Sequence, residues 1–309
     1  DHLGCYSYHR PTSPIIDSLA SEGTIFTHYY CADAPCMPSR HNLITGRFGI
    51  NSGVVTHAGP ASIPRMEYRQ YGGVAPHNQL LQRRLREQGI DTISITNFTT
   101  RHTAVWFALG WSELHSPTLQ AGGEIGEEVN ACALRWLKNN AGRDNYFLHI
   151  NYWDVHRPYK MDESWKERFA DRPITQSWPD EETIAKHQEI KGPFTAQQQF
   201  KDGHSPFALM PDSIRSRADF EQLVDGYDAS IAYADYHVGQ ILEELKRQGV
   251  LDETIIIITA DHGEALGEHG IYGDHVCADE AVNRIPLIIR WPGVTRGRTC
   301  DAFYYNVDL

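Results

Sequence analysis

Residues Thr254 to Glu264 read TIIIITADHGE. Four isoleucines between threonines form a strand without a polar face, as a parallel sheet covered on both sides requires. The run is far too short to cross a bilayer, which takes roughly 20 apolar residues. Ahead of it, about Asp219 to Gln248 carries apolar residues at helical spacing and is closed by Gly249. Behind it, Pro286 to Arg290 (PLIIR) supplies another strand.

The same unit recurs toward the N-terminus. Ile15 to Gly23 predicts a helix stopped by Gly23, followed by the β-branched run Thr24 to Thr27. Asn78 to Gln88 predicts an amphipathic helix before the short strand Thr92 to Thr96. Glu124 to Asn140 places Val129, Cys132, Ala133, Trp136 and Leu137 on one face, ahead of strand-like Tyr146 to Tyr152. Helices alternating with buried strands predict an α/β fold with a mostly parallel sheet sandwiched by helices. The segment 159–216 breaks the pattern and reads as an irregular insertion over one end of the sheet.

Charge narrows the partners. Forty acidic against 28 basic residues give a formal net charge of -12, which repels nucleic acid and anionic membrane surfaces. No transmembrane segment is expected. The opening DHLGCYSYHR has neither a charged nor an apolar leader region, so no signal peptide is read there. Six cysteines occur without a C-x-x-C pair, which argues against zinc-ribbon and thioredoxin chemistry. Disulfide pairing stays open, Cys31 with Cys36 included.

Cys36-Met37-Pro38-Ser39-Arg40, with Leu43 and Thr45-Gly46-Arg47 behind it, resembles the signature C-x-P-S-R followed by L-x-T-G-R of the formylglycine-dependent (type I) sulfatases. These belong to the alkaline-phosphatase-like superfamily. The resemblance implies that Cys36 is oxidised to formylglycine by a formylglycine-generating enzyme, its maturation partner. One hydroxyl of the aldehyde hydrate attacks sulfur and expels the alcohol. The second, deprotonated, restores the aldehyde and releases sulfate. Pro38 suits a first helical turn, which sets Cys36 at a helix N-terminus, where free N–H groups favour an anion. Arg40 offers a rigid fork of donors to the diol or a sulfate oxygen.

Asp261-His262-Gly263, leading to Gly267-Glu268-His269-Gly270, resembles the family's metal motif D-[NH]-G followed by G-E-H-G. It implies Asp261 and His262 as metal ligands. Calcium is the family's usual ion, and a histidine ligand opens the choice to manganese or zinc. His156, in Asp154-Val155-His156-Arg157-Pro158-Tyr159, resembles the H-x-P-Y element whose histidine contacts sulfate and protonates the leaving oxygen.

Two stretches depart from the pattern. Where many members have G-K-W-H, this chain has Ile95-Thr96-Asn97-Phe98-Thr99 and then Arg101-His102. Both latter residues are candidate substrate contacts and read equally as solvated loop residues. Asn97-Phe98-Thr99 also forms an N-glycosylation sequon. A lysine often follows the G-E-H-G element, and His275 is the candidate replacement.

The resemblance implies a single catalytic domain over 1–309, expected to lack a first strand with metal carboxylates and a smaller C-terminal subdomain. It favours a periplasmic or secreted location. The expected substrate is a sulfated small molecule or glycan, a carbohydrate sulfate above all, since tryptophan and tyrosine in the irregular segment suit sugar rings. A phosphonate monoester or phosphodiester hydrolase on the same scaffold, and a catalytically silent glycan-binding homologue, are the alternatives.

Overall fold

The computed structural model describes residues 1–64, 80–120 and 122–309. Its strands are β1 (Thr24–Tyr30), β2 (Asp91–Ile95), β3 (Glu113–His115), β4 (Tyr146–Ile150), β5 (Ile256–Thr259), β6 (Ala265–Leu266), β7 (Tyr272–Asp274), β8 (Leu287–Arg290) and β9 (Arg298–Tyr305). They form a four-stranded sheet ordered β5-β8-β1-β9, a three-stranded sheet ordered β3-β2-β4, and the hairpin β6-β7. β2 is parallel to both its neighbours, with Ile93 opposite Glu113 on one side and Leu148 on the other. β1 and β9 are also parallel, while β8 runs antiparallel between β1 and β5. Because β8 opposes both, β1 and β5 point the same way.

Helices cover these sheets, as an α/β fold demands. Pro14–Glu22 starts on a proline and ends at Gly23, where a Cβ would meet the Ile289 carbonyl oxygen at 2.8 Å. Its Ile16 and Ala20 pack on Ile288 of β8. Gly126–Asn140 sets Val129, Ala133, Trp136 and Leu137 against Ile93 and Ile95 of β2, with Leu245 of the long helix Arg217–Arg247 joining the cluster. That long helix opens on Ser216, whose side chain caps the Asp219 N–H while Asp219 caps Ser216 in return. A separate cluster joins the helix Cys36–Thr45 to Phe98, Phe107 and Trp153.

The TIIIIT run behaves differently from its reading in one respect. β5 lies at the edge of its sheet and its residues alternate, with Ile255 45% and Ile257 41% exposed. A run of isoleucines specifies a strand but not what covers its second face. Residues 78 and 79 of the expected helix 78–88 lie outside the described residues, and the helix observed is Leu81–Glu87. The segment 159–216 contains short helices at Glu163–Lys166 and Glu181–His187. Its Tyr159, Ile184, Ala196, Met210 and Ile214 share a core with Phe220, Leu223 and Val224 of the long helix and Tyr272 of β7. It is therefore packed onto the body of the fold.

Four chain segments leave carboxyl ends of strands and converge. Tyr30 of β1 leads to Cys36, Ile95 of β2 to Arg101 and His102, Ile150 of β4 to His156, and Thr259 of β5 to Asp261. This is where open α/β sheets place their ligand sites.

Candidate active site

Cys36 is the first residue of its helix and is fully buried. Pro38 lies in the first turn, as its restricted φ favours. The Cys36 Sγ is 3.0 Å from His262 Nε2 and 3.8 Å from His275 Nε2. Burial pushes this thiol up, but His262 opposes it together with hydrogen bonding from His102, His156 and His262, and the net position is well below an ordinary thiol. Anionic character at position 36 is what the site favours. All six cysteines are free, and Cys31 turns its thiol to the carbonyl of Val282.

The helix that carries Cys36 is latched to the end of β5. Arg40 Nε donates to Asp261 Oδ2 at 2.8 Å, and Ser39 Oγ donates to the Asp261 carbonyl at 2.5 Å. The Arg40 guanidinium also lies over Phe98 and Trp153, at 4.9 and 5.2 Å from their ring centres. Burial raises the Asp261 carboxyl, yet the charges of Arg40 and His262 outweigh it and hold the group ionised.

His262 Nδ1 is 2.8 Å from the Gly263 carbonyl, so that nitrogen carries the proton and donates. Burial lowers this ring, but Asp261 and Cys36 raise it to about 9, so Nε2 would turn a lone pair toward position 36 only on losing its proton, as ligating a metal requires. Asp261 Oδ2 lies 3.7 Å from the same Nε2. The nitrogens of His262 and His275 and the sulfur of Cys36 come within 4.8 Å of one another, close enough to share an ion. The Cys36 sulfur, the imidazole of His262 and the neighbouring Asp261 carboxylate are donors that would suit a divalent metal.

Among the described residues the sequence candidates converge. The ring of His275 stacks on His262 with centres 3.9 Å apart, and His156 meets His275 edge-on at 4.9 Å. The His275 Nδ1 faces Glu264 at 3.4 Å. Burial lowers the His275 ring, but hydrogen bonding to Cys36 and Glu264 overrides it and raises the ring well above an ordinary histidine. Arg101 NH2 approaches His156 Nε2 at 3.5 Å and its guanidinium covers Trp153 at 4.5 Å. His102 packs on Phe98, with its ring lowered first by burial. At the two departures from the common pattern, Arg101 and His102 are partly buried and His275 is buried.

Two participants were not singled out from the sequence. His57 has a buried Nε2 with no partner, and its ring is 5.0 Å from His102 and 6.5 Å from His275. It lies in Val54-Val55-Thr56-His57-Ala58-Gly59, where only the following Gly59-Pro60 turn hints at a chain doubling back. Glu264 stands inside the D-H-G-E stretch, but its pairing with His275 depends on the β6-β7 hairpin returning the chain.

The sulfatase family model matches residues 1–309 of the chain. The chain belongs to the sulfatase family. It is 27% identical to human (Homo sapiens) iduronate 2-sulfatase over 95% of its own length and 58% of that relative's. With the N-acetylglucosamine-6-O-sulfatase of Bacteroides thetaiotaomicron it shares 22% identity over 99% of its length and 63% of the relative's. This sulfatase-family chain therefore spans about three-fifths of these curated relatives. A structure solved with its substrate D-glucosamine-2-N,6-O-disulfate superposes with a TM-score of 0.74 at 20% identity, covering 99% of this chain and 72% of that one. The phosphonate monoester hydrolase of Agrobacterium radiobacter gives 0.73 at 21%, covering 100% and 69%. At such identities these structures establish a common fold.

Proposed function

We propose that the protein is a sulfuric ester hydrolase that uses formylglycine derived from Cys36 and a divalent metal held by Asp261 and His262, with a carbohydrate sulfate as substrate. The observation that carries this reading is the buried Cys36 at a helix start, with His262 Nε2 3.0 Å and His275 Nε2 3.8 Å from its sulfur. A formylglycine-generating enzyme would convert the thiol. The matured residue would supply the nucleophilic hydroxyl, and a metal bound there would supply Lewis acidity.

The chain's own groups then divide the work. The N–H groups opening the Cys36 helix and the fork of Arg40 hold negative charge at residue 36. His275, kept cationic by Glu264, and Arg101 face the oxygens of the transferring group. His156 Nδ1 lies 2.5 Å from the Arg157 carbonyl, which leaves Nε2 to carry or release the proton given to the leaving alcohol. His102 and His57 close the remaining wall and exclude water.

Carbohydrate specificity is supported by the relatives, whose names specify sulfated sugars. The deciding experiment is a screen of matured full-length enzyme against sulfated mono- and oligosaccharides, an aryl sulfate and an aryl phosphonate. Turnover of a sugar sulfate above the aryl phosphonate is expected. Preference for the phosphonate would favour the phosphodiesterase-like alternative, and no turnover of any ester by formylglycine-bearing enzyme would leave a glycan-binding role.

A further inference from the structure

Beside His156 lies a small cavity of about 30 Å³ that includes Arg101, Glu124, Trp153, Asp154, His156 and Lys160 in its wall. That is room for one or two water-sized groups. Its polar atoms are unusual. Glu124 is only 2% exposed, and while its Oε2 accepts from the Gly122 N–H at 2.8 Å, its Oε1 has no partner among the described residues. Asp154 is 6% exposed, with Oδ1 accepting from Gly126 N–H at 3.0 Å and Oδ2 unpartnered. A buried carboxylate oxygen without a donor is costly, and such groups are ordinarily satisfied by something.

Two cations share the wall. Lys160 Nζ donates to the Gly123 carbonyl at 3.2 Å, which uses one of its three N–H bonds. Arg101 NH1 donates to the Gly122 carbonyl at 2.9 Å, and its NH2 reaches toward His156 Nε2. Arg157 also borders the cavity, but its guanidinium turns away to the Gln199 carbonyl and stacks on Phe194 at 4.3 Å. Two carboxylate residues and two cationic ones therefore line one water-sized space against the histidine assigned to the leaving alcohol.

A second sulfate or a carboxylate would face Glu124 Oε1 and Asp154 Oδ2 with no proton to offer. An apolar group would offer none of these polar groups a partner. A hydroxyl satisfies both sides, donating to a carboxylate and accepting from Lys160 or Arg101. We infer that this cavity is a specificity subsite that reads an uncharged ring or hydroxymethyl hydroxyl of the leaving sugar, with Glu124 and Lys160 as its specificity-determining residues. The inference rests on the carbohydrate-sulfate reading and deepens it.

The test compares a monosaccharide sulfate, its mono-deoxy analogues and para-nitrophenyl sulfate in matured full-length enzyme and in Glu124→Gln and Lys160→Met. Losing one charge-assisted hydrogen bond predicts that the sugar-to-aryl ratio of kcat/KM falls about tenfold to a hundredfold in each variant. One deoxy analogue is expected to lose the same factor with the unsubstituted enzyme and to lose nothing further with Glu124→Gln. Ratios within about twofold of the unsubstituted enzyme, with sugar sulfates still hydrolysed, overturn the subsite alone. Turnover of the aryl sulfate but of no sulfated sugar overturns the carbohydrate reading and the subsite with it. If Glu124→Gln fails to fold, the half-buried Lys160→Met decides by the same ratio.

Discussion

Replacing Arg40 by methionine keeps the packed stem of the side chain and deletes its charge. The partner, Asp261, is left in place, and the two side chains are only 11% and 17% exposed. Removing one member of a largely buried pair costs about 3–5 kcal/mol, since the other charge remains buried and uncompensated. Loss of the guanidinium from Phe98 and Trp153 adds about 0.5–1 kcal/mol. His262, whose Nε2 is 3.7 Å from the same carboxylate oxygen, offsets part of this. The net expectation for metal-free protein is a loss of about 3 kcal/mol. A divalent ion on Asp261 would supply the missing positive charge, so the loss with saturating metal should shrink to about 1 kcal/mol. Urea unfolding of Arg40→Met and the unsubstituted protein, each in chelator and in excess metal, reads both quantities from midpoints at matched slopes. A loss below about 1 kcal/mol in chelator, or the same loss in both conditions, would refute the claim that Asp261 is charged, buried and poised for an ion.

Gly263→Ala is expected to destabilise by at least about 2 kcal/mol, because its Cβ would sit 2.1 Å from the backbone oxygen of Ala281; a melting temperature near that of the unsubstituted protein contradicts the placement of this loop. Asp154 is raised to about 6, by burial first, so its neutral form is the one the fold prefers. Its contribution is fully present below an unfolded-state value near 3.8 and is lost as pH rises through 6, so Asp154→Asn should flatten stability between pH 4 and 7, and an unaltered pH slope would argue against burial of that carboxyl. His275→Lys, which keeps a cation at that place, should retain far more kcat/KM on an aryl sulfate than His275→Gln, whereas equal losses would mean that charge is not what His275 contributes.

Much of the site was legible because its chemistry sits in two short, contiguous motifs at strand ends. Cys36 through Arg40 and Asp261 through Gly263 each need only local sequence to be recognised, and the fold brings them together through the Arg40–Asp261 pair. Arg101 and His102 were ambiguous for a physical reason: a loop cation reads the same whether it faces water or a site, and only the short helix Phe98–His102 turns both inward. His57 carried no periodic or motif signal, and its place depends on contacts with His102 and His275, distant in the chain. Strand direction was equally silent. Pro286 to Arg290 has the composition of any buried strand, and nothing in it states that β8 opposes β1 and β5. Nor does a run of isoleucines reveal that, among the described residues, β5 pairs with β8 alone and leaves Ile257 41% exposed.

The most direct test is mass spectrometry of the peptide bearing residue 36, from protein produced in a host with formylglycine-generating activity. An aldehyde or its hydrate at position 36 is the predicted state, and a quantitatively unmodified cysteine thiol there would contradict the proposed chemistry at its root.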